Sequence, residues 1–433
     1  MKNFLFTTFL TLILFSCQQE NQETLFQKVI PTDSGIDFVN QLDYTEELNP
    51  YTYRNFFNGG GVALGDINND GLLDIFFSGN IVSNKLYLNQ GDWKFKDITA
   101  HAGVADSQFW STGVTFVDIN ADGWLDIYVC KSGPPSDDPR RRNSLYINQK
   151  DGSFQEEAAK YNLDFSGLAT QAAFFDYDKD GDLDCYLLTN SFKSVGIGQE
   201  IIRGQREVPS EDNAGNKLLR NDNGQFIDVT LEAGIFTSDI GFGLGITLAD
   251  YNQDNWPDIF ISNDFYEKDY LYINDQDGTF SEESESYFES LSMGSMGADA
   301  SDLNNDGLPE IMVTEMLPST LSRKKTKATY ESWDKYSLNT SKGYYHQFPR
   351  NVLQRNVGNG QFLEIGRLAG VAATEWSWGT LIFDANNDGL NDIFVSNGIY
   401  KDLLDRDYLN YMANEEQIRS MIENEEDVIT KLI

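Results

Sequence analysis

One layout recurs along this chain: an apolar run, a short acidic loop, then a second apolar run. It is written first as GGGVALGDINNDGLLDIFFSGN at residues 59–80. Five further copies follow, STGVTFVDINADGWLDIYVC, QAAFFDYDKDGDLDCYLL, LGITLADYNQDNWPDIFISN, MGADASDLNNDGLPEIMVT and SWGTLIFDANNDGLNDIFVSN. Their loops start at Asp66, Asp118, Asp176, Asp250, Asp302 and Asp384, so successive starts lie 52 to 82 residues apart. A period near about 50 residues, lengthened by insertions, is the mark of propeller blades, units that bury their apolar faces only against their neighbours.

A second shared element follows the copies: NKLYLN at 84–89, NSLYIN at 143–148, NKLLRN at 216–221, DYLYIN at 269–274 and NVLQRN at 351–356. A third begins at Phe95, Phe154, Phe226, Phe280 or Phe362. Apolar β-formers punctuated by Gly, Asn and Asp make each repeat read as strand, acidic turn, strand, loop, strand, short turn, strand. The fold class expected is therefore all-β, a β-propeller of four-stranded blades over residues 26–398, with six or seven blades. After Asn397 the chain turns into DLLDRDYLNYMANEEQIRSMIENEEDVITKL, whose helix formers predict a short helical tail over 399–433. Near the start, Phe26–Ile36 resembles the outer strand and Gly-Ile ending of the repeats, which predicts that it supplies the outermost strand of the closing blade.

The loops carry the chemistry. In the first, Asp66, Asn68 and Asp70 take positions one, three and five, Gly71 position six and Asp74 position nine. Alternating oxygen-bearing side chains around a glycine turn can wrap a hard cation, as in an EF-hand loop, but the twelfth residue is Phe77 rather than Glu, so the ninth-position carboxylate must take its place. The matching sets are Asp118, Asn120, Asp122 and Asp126; Asp176, Asp178, Asp180 and Asp184; and Asp250, Asn252, Asp254 and Asp258. The last two are Asp302, Asn304, Asp306 and Glu310, and Asp384, Asn386, Asp388 and Asp392. Asn255 replaces glycine in the fourth loop and Glu310 replaces Asp in the fifth, which ranks these two as the weakest sites. Carboxylates crowded within nine residues repel one another without a counter-ion, so calcium, up to six ions, is the expected cofactor.

A formal net charge of −36 argues against nucleic acid, which needs clustered Lys and Arg. Residues 1–17 combine Lys2, an apolar run and Leu14-Phe15-Ser16-Cys17, a pattern resembling a bacterial lipoprotein signal peptide. It predicts lipidation at Cys17, a tether over 18–25 and a place in the cell envelope, anchored to the outer membrane and surface-exposed. Cys130 lies four residues after Asp126 and Cys185 one residue after Asp184, so equivalent strands would turn them to opposite faces. Two unpaired buried thiols are expected.

The residues GGGVALGDINNDG, FFDYDKDGDLD, SNDFYEKDYLYIN and TEWSWGTLIFDANNDG resemble the FG-GAP or VCBS repeat proteins, whose calcium-loop propeller is similar to the integrin α head, and more narrowly the ASPIC/UnbV-type proteins of bacterial envelopes. The resemblance implies a surface adhesion, scaffold or capture role and transfers no catalytic residues. His101 and His346 are the only histidines, and neither sits in a nucleophile motif. A non-enzymatic binding module for glycans or partner envelope proteins is the expected function. The alternative is an envelope polysaccharide hydrolase or lyase with a calcium-organised cleft. Binding surfaces are expected on three insertions: 131–143 with Arg140, Arg141 and Arg142; 191–215; and 317–349, which brings Lys324, Lys325 and Lys327 together with Tyr330, Trp333, Tyr344 and Tyr345. Trp376 and Trp378 are expected to fill the propeller core.

Overall fold

A computed structural model describes residues 24–50, 52–107, 110–134, 139–191, 204–210, 214–265, 267–327, 332–399, 405–407 and 410. The lipoprotein signal with Cys17, Tyr330 and nearly all of the expected helical tail lie outside these residues. Five repeats form four-stranded antiparallel sheets whose strands pair in chain order. Blade one, for example, runs Val62–Gly65, Asp74–Phe77, Lys85–Asn89 and Phe95–Asp97. The inner strands of blades two to five are Trp110–Val117, Ala169–Phe175, Gly243–Ala249 and Ala298–Ser301. A sixth sheet holds two strands, Ser377–Phe383 and Asp392–Asn397.

Consecutive inner strands touch from blade one to blade six. The row curves far enough for the first and sixth to line one axial cavity, through Val62 and Thr380. The protein is a β-propeller. Each junction between neighbouring blades has its own apolar core. Phe76, Leu86 and Ile127 mark the first, Tyr128, Leu145 and Leu187 the second, and Tyr186, Ile259 and Tyr272 the third. Phe260, Ile311 and Phe362 mark the fourth, and Met312, Leu353 and Ile382 the fifth.

The inner strands crowd one another at the axis. A Cβ at Gly297 would meet the carbonyl oxygen of Trp378 at 2.7 Å and the Gly379 Cα at 2.9 Å, both backbone atoms with no room to retreat. Gly297→Ala is therefore expected to cost about 1–3 kcal/mol of stability, read as a lower midpoint in denaturant with an unchanged slope.

One expectation holds with an addition, and two change. Cys130 and Cys185 are free and buried, as expected, yet they share one core at the junction of blades two and three. Opposite faces of two adjacent blades are the faces that meet, so opposite parity brings the thiols to the same side of one interface. Phe26–Ile36 is not a strand among the described residues: Pro31–Ser34 is a helical turn ending at Gly35, φ 83°. The segment nevertheless lies where an outer strand would leave the closing blade. The Phe26 ring is 6.3 Å from Phe394 of blade six, and Gly35 packs against the Phe95 carbonyl as Gly234 does against that of Phe280. With no third strand in blade six among the described residues, it has no edge to pair with. Trp376 and Trp378 do not fill the core: the rings stack at 6.4 Å, both half-buried, and Trp378 lines the axial cavity.

Candidate functional site: the acidic loops and the axial cavity

All six loops adopt one conformation. The fourth residue is left-handed in each, at Asn69, Ala121, Lys179, Gln253, Asn305 and Asn387, with φ between 55° and 64°. The sixth is left-handed too, a glycine in five loops and Asn255 at φ 68° in the fourth. Asparagine tolerates this region, so the fourth loop keeps its shape without glycine. The double reversal points successive backbone N–H groups at the first carboxylate. Asp66 accepts from Asp70 N at 3.1 Å and Gly71 N at 2.7 Å, and Asp118, Asp176, Asp250, Asp302 and Asp384 repeat the pair. At Asp384 these backbone N–H groups, that of Gly389 first, hold the carboxyl below its ordinary range. The fifth-position Asp accepts from the seventh residue's N–H, at 2.9 Å for Asp70 and Leu72.

Position nine does a second task that the spacing alone did not reveal. Asp74 is fully buried, taking Ile67 N at 3.0 Å on one oxygen and Asn89 N at 2.7 Å on the other. Asp126, Asp184 and Asp258 repeat this clamp with Asn148, Asn221 and Asn274, so the carboxylate ties the loop to the last Asn of the third strand. Burial is the main cause that pushes Asp126 up to about 6 and Asp184 and Asp258 up to about 7, with the neighbouring loop carboxylates adding to it. Glu310 binds Leu303 N with one oxygen and the Asn304 amide with the other. Asp392 keeps the loop contact, Ala385 N at 3.2 Å.

Loop three differs from the rest. It alone has Asp at position three, and the carboxylate oxygens of Asp176, Asp178 and Asp184 come within 4.8 Å of one another. In the first and fourth loops the third-position Asn instead donates to the fifth-position Asp, Asn68 to Asp70 and Asn252 to Asp254, each at 2.9 Å. The donors are all oxygen, the chemistry of a hard cation.

The axial cavity lies at the other end of the inner strands. It is bordered by strand starts such as Gly61 and strand ends such as Ser396, whereas the loops join the opposite ends, and it measures about 500 Å³. Trp110, Trp378, Gln171 and Asn190 line it. The sequence reading missed this site, although one signal was available: five residues before each loop start stand Gly61, Gly113, Gly245, Gly297 and Gly379, but Gln171 in blade three.

The insertions prove mixed. Arg141 is buried, Arg142 pairs with Asp164, and Arg206 is a buried partner of Glu267. On 317–349, Lys324 and Lys325 lie on the exposed helix Leu321–Lys327, and Trp333 is exposed with its ring tilted 36° against Tyr336, but Tyr344 is core. His346 bonds to the Tyr336 hydroxyl at 2.7 Å, and His101 reaches the Asp151 carbonyl at 3.4 Å.

The FG-GAP-like repeat family matches residues 66–129, 136–187 and 250–313, which are the stretches around loops one to five. The chain carries FG-GAP-like repeats. Its similarity to cartilage acidic protein 1 is distant: 26% identity over 230 residues for the Xenopus tropicalis protein and 27% over 209 for the mouse protein. Those stretches cover 53% and 47% of this chain but 32% and 29% of the relatives, so the match spans about a third of their length. Among solved structures, an Agrocybe aegerita lectin specific for non-reducing terminal N-acetylglucosamine aligns at TM-score 0.43 and 15% identity, over 77% of this chain and 73% of its own. The Vibrio cholerae biofilm matrix protein Bap1 aligns at 0.37 and 14%, over 76% and 41%. The FG-GAP-like loop is thus written six times here, the sixth copy at 384–392 lying beyond the matched stretches.

Proposed function

We propose that this protein is a calcium-binding β-propeller of the bacterial cell envelope, of the ASPIC/UnbV type, that works as a non-enzymatic binding module. The observation that carries the calcium reading is the common geometry of the six loops, with carboxylate oxygens of Asp176, Asp178 and Asp184 gathered in loop three, an all-oxygen set in a flexible loop that suits calcium better than the strict octahedron of magnesium. The envelope reading rests on the sequence ending at Cys17, whose lipidation would hold the propeller at the outer membrane. A calcium-stapled propeller offers a rigid frame, and its ligands are glycans or partner envelope proteins.

The test is capture. Purified protein in about 1 mM calcium, screened on a glycan array and against envelope extracts, is expected to retain a defined glycan or protein without altering it. Release of cleaved polysaccharide during the same incubation would overturn the non-enzymatic reading, and loss of nothing on chelation would overturn the role of calcium in holding the binding frame.

A further inference from the structure

Two residues at the inner end of blade three line the axial cavity with amide atoms that the fold leaves unpaired. The first is Gln171, at the ring position that is glycine in the other five repeats. Crowding of inner strands favours glycine there, and the Gln171 amide indeed presses on Gly113, yet its Oε1 is buried without a hydrogen-bond partner. A buried amide oxygen left unpaired costs about 1–3 kcal/mol, so the fold alone gives no reason for glutamine.

The second is Asn190. Six residues after the ninth-position Asp, blade one has Asn80, fully buried, whose amide donates to the Gly59 and Ser111 carbonyls at 2.9 and 3.0 Å and whose oxygen accepts from Asn40 at 2.6 Å. Asn190 holds the same place in blade three and is equally buried, but neither its Oδ1 nor its Nδ2 has a partner. One asparagine builds the fold and its counterpart does not.

We infer that the axial cavity is a binding site for a neutral polyhydroxylated ligand, a non-acidic sugar residue, with Asn190 and Gln171 as its hydrogen-bonding groups and Trp110 and Trp378 as its apolar walls. This rests on the binding-module reading and gives it a site. In a chain with 68 acidic and 32 basic residues, no acidic or basic side chain among the described residues lines this cavity, so an ion entering it would lose water without gaining a counter-charge from them. A purely apolar ligand would leave the two amides unpaired. A sugar satisfies both demands, offering hydroxyls to the amides and its C–H face to the indoles, and about 500 Å³ is within the usual range for small-molecule sites.

The experiment uses the full chain in about 1 mM calcium on an array of neutral and acidic glycans, followed by titration of the bound neutral glycan through tryptophan fluorescence. Asn190→Leu removes an amide that makes no hydrogen bond within the protein, and Gln171→Gly restores the residue of the other repeats, so both variants are expected to melt near the parent. Each is expected to weaken neutral-glycan binding at least about tenfold, while Trp93→Ala, at an exposed turn of blade one away from the cavity, leaves it unchanged. Undiminished binding by both cavity variants would overturn the site and leave the binding-module reading standing. Retention of acidic glycans alone, or of no glycan, would overturn the ligand class, and capture of neither glycan nor envelope protein would overturn the wider reading as well.

Discussion

The melting temperature is expected to rise steeply when chelator is replaced by about 1 mM calcium. A site a hundredfold tighter than the free ion concentration adds about 2.7 kcal/mol to a folded state that alone binds the ion, so even three filled loops contribute on the order of 8 kcal/mol. The expected response has its origin in crowded carboxylates. Loop three sets Asp176, Asp178, Asp180, Asp182 and Asp184 within nine residues, and burial followed by mutual repulsion raises Asp178, Asp182 and Asp184 above their ordinary value. Bound calcium would remove that repulsion.

Asp178→Asn, which gives loop three the residue of the other five loops, should therefore act with opposite signs. The variant should melt slightly higher than the parent in chelator and gain less from calcium. Calorimetric titration should lose its tightest site. Identical melts with and without calcium, and no heat of binding, would remove the calcium assignment for every loop.

Replacing Glu315 with Gln should flatten the fall in stability with rising pH. Glu315 is 6% exposed, and its Oε2 has no hydrogen-bond partner. Burial pushes its carboxyl up to about 8 from an ordinary 4.5, the Met316 and Leu317 N–H groups oppose that rise, and the Asp264 carboxylate adds to it. The folded state thus holds the proton more tightly than the unfolded chain. Below about pH 4.5 both states are protonated and the group costs nothing. Between 4.5 and 8 the unfolded chain releases a proton that the folded chain keeps, so stability falls with pH, and above 8 the loss is complete, on the order of 5 kcal/mol. Melts in chelator from pH 5 to 9 should show the parent dropping below Glu315→Gln as pH rises, a difference from which the shared loop carboxylates cancel. Parallel curves would mean that Glu315 is ionised at little cost.

Much of this molecule was legible in one dimension because its constraints are local. A loop that needs left-handed backbone at its sixth residue, and oxygens at alternate positions, writes itself into nine consecutive residues, and six copies state the blade period. The strands follow, since β-formers between such turns have one economical pairing, with the next strand in line.

What escaped depended on contacts between strands and between blades. The ninth-position carboxylate reads as a cation ligand along the chain, while its grip on the third-strand asparagine exists only once a blade has folded. Parity placed Cys130 and Cys185 on opposite faces, and only the stacking of blades two and three made those faces meet. Gln171 departs from the glycine of the other repeats, but nothing in sequence links it to Asn190. Tertiary structure alone sets them, with Trp110 and Trp378, around one cavity, because the axis is where residues 268 positions apart, Trp110 and Trp378, share a wall.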